Sequence, residues 1–314
     1  MSPFGSQFGL AQNASNGARL YLTLRPTPLA LQQGKQTPVW SLHSDGPSSG
    51  PGFVSRVRRG DTLNLDITSE LPTPVAVDVR GINGAARAEP LLSQPPLSAN
   101  GKASLTIPLK QAGTFLIDPR LLGDGGERPL LPRVLVVEDN APGIDRDEVL
   151  LIEDWRLRND GSALTPGRDA SGTTTLYTLN RTASFDLNVK RNERIRLRIV
   201  NGCQRAIVAL KIADHDLLVM AFDGEAAEPF IARDGQIVLG PGTRADAFVD
   251  ATRPSGTASD ILLHDGTKAM PVGRIVTSGE ARAASLPVAA PLAPSASPRI
   301  DLKTAQRFDL SLDP

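Results

Sequence analysis

With 314 residues, 40% of them hydrophobic and 22% charged, the chain is long enough for two compact domains, each burying its own core. Lys+Arg and Asp+Glu are equal at 34 each, so no net field draws nucleic acid or an anionic membrane, and no apolar run of about eighteen residues exists to span a bilayer. The single cysteine, Cys203, excludes an intrachain disulfide and a Cys-rich metal site.

The first fifteen residues, Met1 to Ser15, lack a basic region followed by an apolar one and do not read as a signal peptide; they suit a flexible N-terminal segment over 1–17. Arg19-Leu20-Tyr21-Leu22-Thr23-Leu24-Arg25 then alternates apolar and polar residues with period two, the pattern of a half-buried strand. Val54 to Thr68 alternates on both sides of a Gly60-Asp61 turn, and Ala103 to Leu109 does the same. Val75-Ala76-Val77-Asp78-Val79-Arg80-Gly81 and Ala112-Gly113-Thr114-Phe115-Leu116-Ile117-Asp118-Pro119-Arg120 are apolar strands that both end on Asp-x-Arg. A charge where a strand leaves the core is either a solvated end or a site. Val134 to Glu138 closes the first half, and Ala141-Pro142-Gly143 marks a boundary.

The second half continues with strands at 149–152, 195–200, 207–212, 217–222, 236–239, 245–249 and 261–263. No segment carries a sustained i, i+3, i+4, i+7 stripe, so the fold class is all-β. Val57-Arg58-Arg59-Gly60-Asp61-Thr62-Leu63-Asn64-Leu65-Asp66-Ile67 aligns with Val189-Lys190-Arg191-Asn192-Glu193-Arg194-Ile195-Arg196-Leu197-Arg198-Ile199, which predicts two copies of one β domain. The expected domains are 18–140 and 141–278. Gly279 to Pro298 is rich in Ala, Pro and Ser and reads as a linker; Arg307-Phe308-Asp309-Leu310-Ser311-Leu312 reads as a further strand in a linker-and-strand segment over 279–314.

Taken together these residues resemble the multicopper oxidases, laccase-like enzymes built from cupredoxin domains. The resemblance rests on Thr37-Pro38-Val39-Trp40, Ser93-Gln94-Pro95-Pro96-Leu97, similar to a T-Q-P-P-I loop, and Ala112-Gly113-Thr114-Phe115, similar to an A-G-T-Y strand. Asp154-Trp155, Arg194 to Asn201, Asp223-Gly224 with Glu228-Pro229-Phe230, and Gly240-Pro241-Gly242-Thr243-Arg244-Ala245-Asp246 extend it through the second half. It implies two cupredoxin-like Greek-key sandwiches or barrels in tandem, with the last strand as the first of a missing third domain. The family carries H-x-H-G after its first apolar strand and H-P-H after A-G-T-Y. Here Asp78-Val79-Arg80-Gly81 and Asp118-Pro119-Arg120 stand in those places, and the family's His-Cys-His stretch is absent.

Copper doing redox work is held by imidazole, thiolate and thioether. The chain has only His43, His215 and His264, none at metal-ligand spacing from another, in sequence contexts that read as two loops and a turn. The expectation is therefore no copper and no other cofactor, with Asp78, Arg80, Asp118 and Arg120 forming a salt-bridge lattice at the former ligand positions. Cys203 reads as a packing residue, Trp155 as a core anchor of the second domain, and the acidic stretch Asp139 to Asp147 as a solvated interdomain loop rather than a calcium site. Gly123-Asp124-Gly125-Gly126-Glu127 opens no helix and so does not read as a phosphate loop. The functional expectation is an exported, periplasmic binding or scaffold protein, concerned with the envelope or cell division, with no catalytic residues. Its expected partner is a protein, or a third domain, docking on the first domain. The alternative is a truncated or multi-chain oxidase whose copper sites lie outside this chain.

Overall fold

The computed structural model describes residues 17–44, 52–82, 94–122, 126–139, 141, 143–294, 301–309 and 311. Most of the 1–17 segment, Ser93, Gly123 to Gly125 and Pro142 lie outside the described residues.

The first half contains β1 (Gly17–Gln32), β2 (Lys35–Ser44), β3 (Val54–Arg58), β4 (Thr62–Ser69), β5 (Val75–Arg80), β6 (Lys102–Pro108), β7 (Gly113–Leu121), β8 (Leu130–Leu131) and β9 (Arg133–Glu138). They form a five-stranded sheet ordered β6-β4-β1-β2-β8 and a four-stranded sheet ordered β3-β9-β7-β5. Leu22, Leu24, Leu63, Leu65, Ile67 and Ile107 from the first sheet meet Val75, Val79, Phe115, Ile117, Leu135 and Val137 from the second. These are the inward positions of strands with period two, and their burial supplies most of the drive to close the sandwich.

The second half contains β10 (Arg146–Leu157), β11 (Thr174–Leu179), β12 (Asp186–Arg191), β13 (Arg194–Asn201), β14 (Val208–Ile212), β15 (Leu218–Phe222), β16 (Glu225–Ile231), β17 (Gln236–Leu239), β18 (Arg244–Asp250), β19 (Ala258–His264) and β20 (Ala269–Glu280). A six-stranded sheet ordered β11-β10-β13-β18-β15-β16 faces a five-stranded sheet ordered β12-β20-β19-β14-β17 across a second apolar core.

The two sandwiches are built alike. β1 runs parallel to β4 and β3 to β9; β10 runs parallel to β13 and β12 to β20. The repeated sequence marks the same corner in each, where the chain leaves one sheet (β3, β12) and enters the other (β4, β13). That corner needs a left-handed residue, and the two copies supply it differently: Gly60 at φ 93° and Asn192 at φ 64°.

A third apolar cluster joins the sandwiches. Phe53, Val54, Leu116, Val134 and Val136 lie on the outer face of the β3-β9-β7-β5 sheet, against Val149, Leu151 and Val200 on the outer face of the six-stranded sheet. Trp155 belongs to a fourth cluster, with Leu31, Val39 and Leu131 of the first sandwich, and its indole donates to Thr178 Oγ1 at 2.9 Å. It therefore anchors the junction between the sandwiches and not the second core.

Residues 281–294 are not a free linker. Arg194 donates to the carbonyls of Pro287 and Leu286, Asn192 donates to that of Arg282, and Leu292 packs with Met220, Ala221 and Phe248. The segment is strapped along the second sandwich. Residues 301–309 contain no strand, and Phe308 is exposed; the strand expected at 307–312 is not formed among the described residues.

Candidate functional site

Alternation along β7 decides where the charged motif points. Phe115 and Ile117 enter the first core, so Thr114, Leu116, Asp118 and Arg120 share the opposite face, which looks at the second sandwich. On β5, Val75 and Val79 enter the core and Asp78 and Arg80 fall on the outer face. The antiparallel register sets Asp78 opposite Asp118, Ala76 opposite Arg120 and Arg80 opposite Leu116. Asp-x-Arg thus sits within β7, which continues to Leu121, and not beyond its end.

The structure brings all four residues together. Asp118 Oδ2 is ion-paired with Arg80 Nη2 at 2.8 Å and accepts a hydrogen bond from Arg120 Nε at 3.0 Å, and Arg80 Nε lies 3.6 Å from Asp78 Oδ2. Two carboxylates directly opposed across a ladder repel; the guanidinium of Arg80 reaching both offsets this. Asp118 is the hub. Burial pushes its carboxyl up to about 6, Arg80 pulls the other way, and Asp78 adds to the rise. Arg120 is the outer member, with 54% of its side chain exposed.

Three of the four, Arg80, Asp118 and Arg120, line one side of a cavity of about 280 Å³ between the sandwiches. Leu116 and Pro119 share its wall with them, and the 201–204 turn, Thr165-Pro166 and Pro241-Gly242 face it from the second sandwich. Arg128 enters from the loop before β8 and makes no hydrogen bond or ion pair among the described residues. Cys203 also borders the cavity but is buried in the second core, and burial drives its thiol pKa upward, so it is a packing residue and a poor nucleophile.

The largest polar assembly went unread in the sequence. All of β13 is buried: Ile195, Leu197 and Ile199 fill the core, while Arg196 and Arg198 face the first sandwich. Arg196 donates to Asp139 at 2.6 Å and Asp246 at 2.5 Å; Arg198 grips both Asp147 oxygens at 2.7 Å and reaches Asp246 at 3.4 Å. Thr114 Oγ1 donates to Asp246 at 3.1 Å and accepts from Arg198 at 3.0 Å, so the first sandwich is stitched into the network. Burial works against the charge on Arg196, but Asp246 and Asp139 outweigh it and hold its pKa above the ordinary value. Asp147 is likewise held below the usual carboxylate range because Arg198 outweighs its burial. Asp145 pairs with Arg282. The acidic stretch from Asp139 to Asp147 is therefore a set of tethered carboxylates, not a solvated loop.

The histidines stay apart. His43 stands on β2, not in a loop, with Nε2 2.6 Å from Thr27 Oγ1 and 3.0 Å from Ser41 Oγ. His215 is in the expected turn but buried, its Nδ1 2.9 Å from the Ala213 carbonyl, and His264 ends β19 in solvent. No group of three or more His, Cys, Asp or Glu able to hold a metal ion exists among the described residues.

Residues 147–257 match the family model for multicopper oxidase. The chain is 26% identical to Laccase-3 of Thanatephorus cucumeris over 239 residues, covering 66% of this chain and 41% of the laccase. It is 26% identical to the cell division protein FtsP of Salmonella typhimurium over 275 residues, covering 82% of this chain and 56% of FtsP. A multi-copper oxidase structure from Pseudomonas thermotolerans superposes with a TM-score of 0.77 at 23% identity, covering 93% of this chain and 71% of the other. The chain is similar to the multicopper oxidases, most directly through its second sandwich, and its two sandwiches have the cupredoxin fold. It spans about half the length of the curated relatives it matches.

Proposed function

We propose that this chain is a copper-free member of the multicopper oxidase family that works by binding, as an exported scaffold in the cell envelope. The observation that carries the reading is the Asp78–Arg80–Asp118–Arg120 cluster at the positions where the resemblance sets histidines. Two of those four side chains are guanidiniums, which offer no lone pair and keep their charge at any working pH. The two carboxylates are engaged with them, so this donor set does not fit copper. A binding role also agrees with the likeness to a cell division protein, and no helix among the described residues is long and apolar enough to cross a membrane.

The test is metal analysis with an optical spectrum on the purified chain. Less than one-tenth equivalent of copper is expected after copper loading and desalting; a stoichiometric blue centre overturns the reading. Capture from the native envelope fraction, with and without residues 279–314, then asks whether a protein partner docks on the first sandwich.

A further inference from the structure

The cavity between the sandwiches has features that ion pairing alone does not require. Asp118 on the wall, with Asp78 reaching Arg80 from outside it, offsets Arg80 and Arg120, which leaves Arg128 as the unpaired positive charge on the wall. Its guanidinium makes no ion pair or hydrogen bond among the described residues. Thr165 lines the same cavity, and its hydroxyl makes no hydrogen bond among the described residues. That oxygen is not sealed off, so the hydroxyl can donate to an acceptor held in the cavity. Leu116, Leu121, Leu130 and Pro166 supply the apolar part of the wall, beside the polar Asn201 and Gln204.

We propose that this cavity binds a small organic monocarboxylate, its carboxylate gripped by the Arg128 fork and the Thr165 hydroxyl and its apolar body against Leu121 and Leu130. Arg120, which uses Nε on Asp118, has its outer N–H groups free for the same oxygens. Charge selects the class. One surplus guanidinium in otherwise neutral surroundings offsets one negative charge, whereas a dianion would bury an uncompensated charge. Planar geometry favours a carboxylate, which accepts the guanidinium fork through two parallel bonds. Size sets the limit: about 280 Å³ is at the small end of ligand sites.

The inference deepens the binding reading above, and the two fail separately, because metal analysis does not depend on Arg128. The experiment is calorimetric titration of the full chain with acetate, isovalerate and benzoate, and with benzamide and inorganic phosphate as the neutral and dianionic arms. At least one of isovalerate and benzoate is expected to saturate at one site, at least tenfold more tightly than benzamide, acetate or phosphate. Arg128→Ala, which removes no hydrogen bond or ion pair found among the described residues, is expected to weaken that binding at least tenfold with little change in Tm. Thr165→Val is expected to weaken it several-fold. Arg233→Ala, on the exposed surface of the second sandwich, leaves it unchanged. The proposal is overturned if no carboxylate saturates, if phosphate binds as tightly as the best carboxylate, or if Arg128→Ala binds like the parent chain.

Discussion

Asp246 is the residue whose loss should be felt most. Its carboxylate takes two N–H groups from Arg196, at 3.1 and 2.5 Å, a third from Arg198 at 3.4 Å, and the Thr114 hydroxyl at 3.1 Å. Removing one partner from a buried ion pair costs about 3–5 kcal/mol, because the other charge is left desolvated. Here Arg196 keeps Asp139 and Arg198 keeps Asp147, so neither guanidinium is orphaned and the loss falls at the lower end. Asp246→Ala is therefore expected to destabilise the chain by about 3 kcal/mol. Asp246→Asn, which keeps an acceptor and loses the charge, should cost about 1–2 kcal/mol. Urea unfolding followed by fluorescence reads both as shifts in midpoint at constant slope; for a chain of this size, about 3 kcal/mol displaces the midpoint by roughly 1 M. The difference should persist in high salt, since a buried network is poorly screened. A loss below about 1 kcal/mol for Asp246→Ala would place the network in solvent and refute the reasoning.

Gly113 sits at φ 146°, and a Cβ there would lie 2.9 Å from Gly224 Cα, so Gly113→Ala should cost about 1–3 kcal/mol by forcing the two backbones apart; unchanged thermal stability would refute this contact. Asp118, raised from 3.8 to about 6 mainly by burial, binds its proton more tightly when folded; the stability this contributes is full below about pH 4 and is lost as pH rises through 6. Asp118→Asn should remove that downward slope, worth up to about 3 kcal/mol across the window, and an identical pH profile for parent and variant would count against it. Cys203 should stay unlabelled by a thiol reagent until the chain unfolds; rapid labelling of the native chain would contradict its burial.

Most strands of both cores were legible because a sandwich buries one face of each, and period-two alternation reports that face directly; β11, which adds Tyr177 and Leu179 to the second core, was missed. β2, β16 and β20 were harder, since Pro38, Pro229 and Pro271 break their pattern. The Asp-x-Arg pairs could be matched because β5 and β7 are neighbours in register. Arg194-x-Arg196-x-Arg198 showed the opposite limit. Alternating arginine and apolar residues look like a strand with one wet face, and nothing local says that a second sandwich covers it. The pairing of β13 with β18 sets Arg198 opposite Asp246 and Arg194 opposite Asp250, and the first sandwich, through Thr114, covers the Arg198–Asp246 part of that face. The aspartates 50 and 56 residues away were the available signal.

The same covered face raises the question of what the charges contribute to the junction. Attraction between the sandwiches needs no ions, because Phe53, Leu116, Val134, Val136, Val149, Leu151 and Val200 already close a dry cluster there. Apolar contacts are non-directional, however, whereas Thr114, Asp246, Arg196 and Arg198 meet only in one relative orientation of β7 and β13. A buried ion network also gains little over an apolar filling of equal volume. Replacing its central pair together, as Arg196→Met with Asp246→Leu, leaves the Arg198–Asp147 pair intact and lets the part-exposed Asp139 turn to water. The double variant is therefore expected to lose less stability than Asp246→Ala alone, while its interdomain orientation, measured by residual dipolar couplings, becomes broader. A double variant that is less stable than the sum of its single changes would show that the ions hold the sandwiches together instead of aligning them.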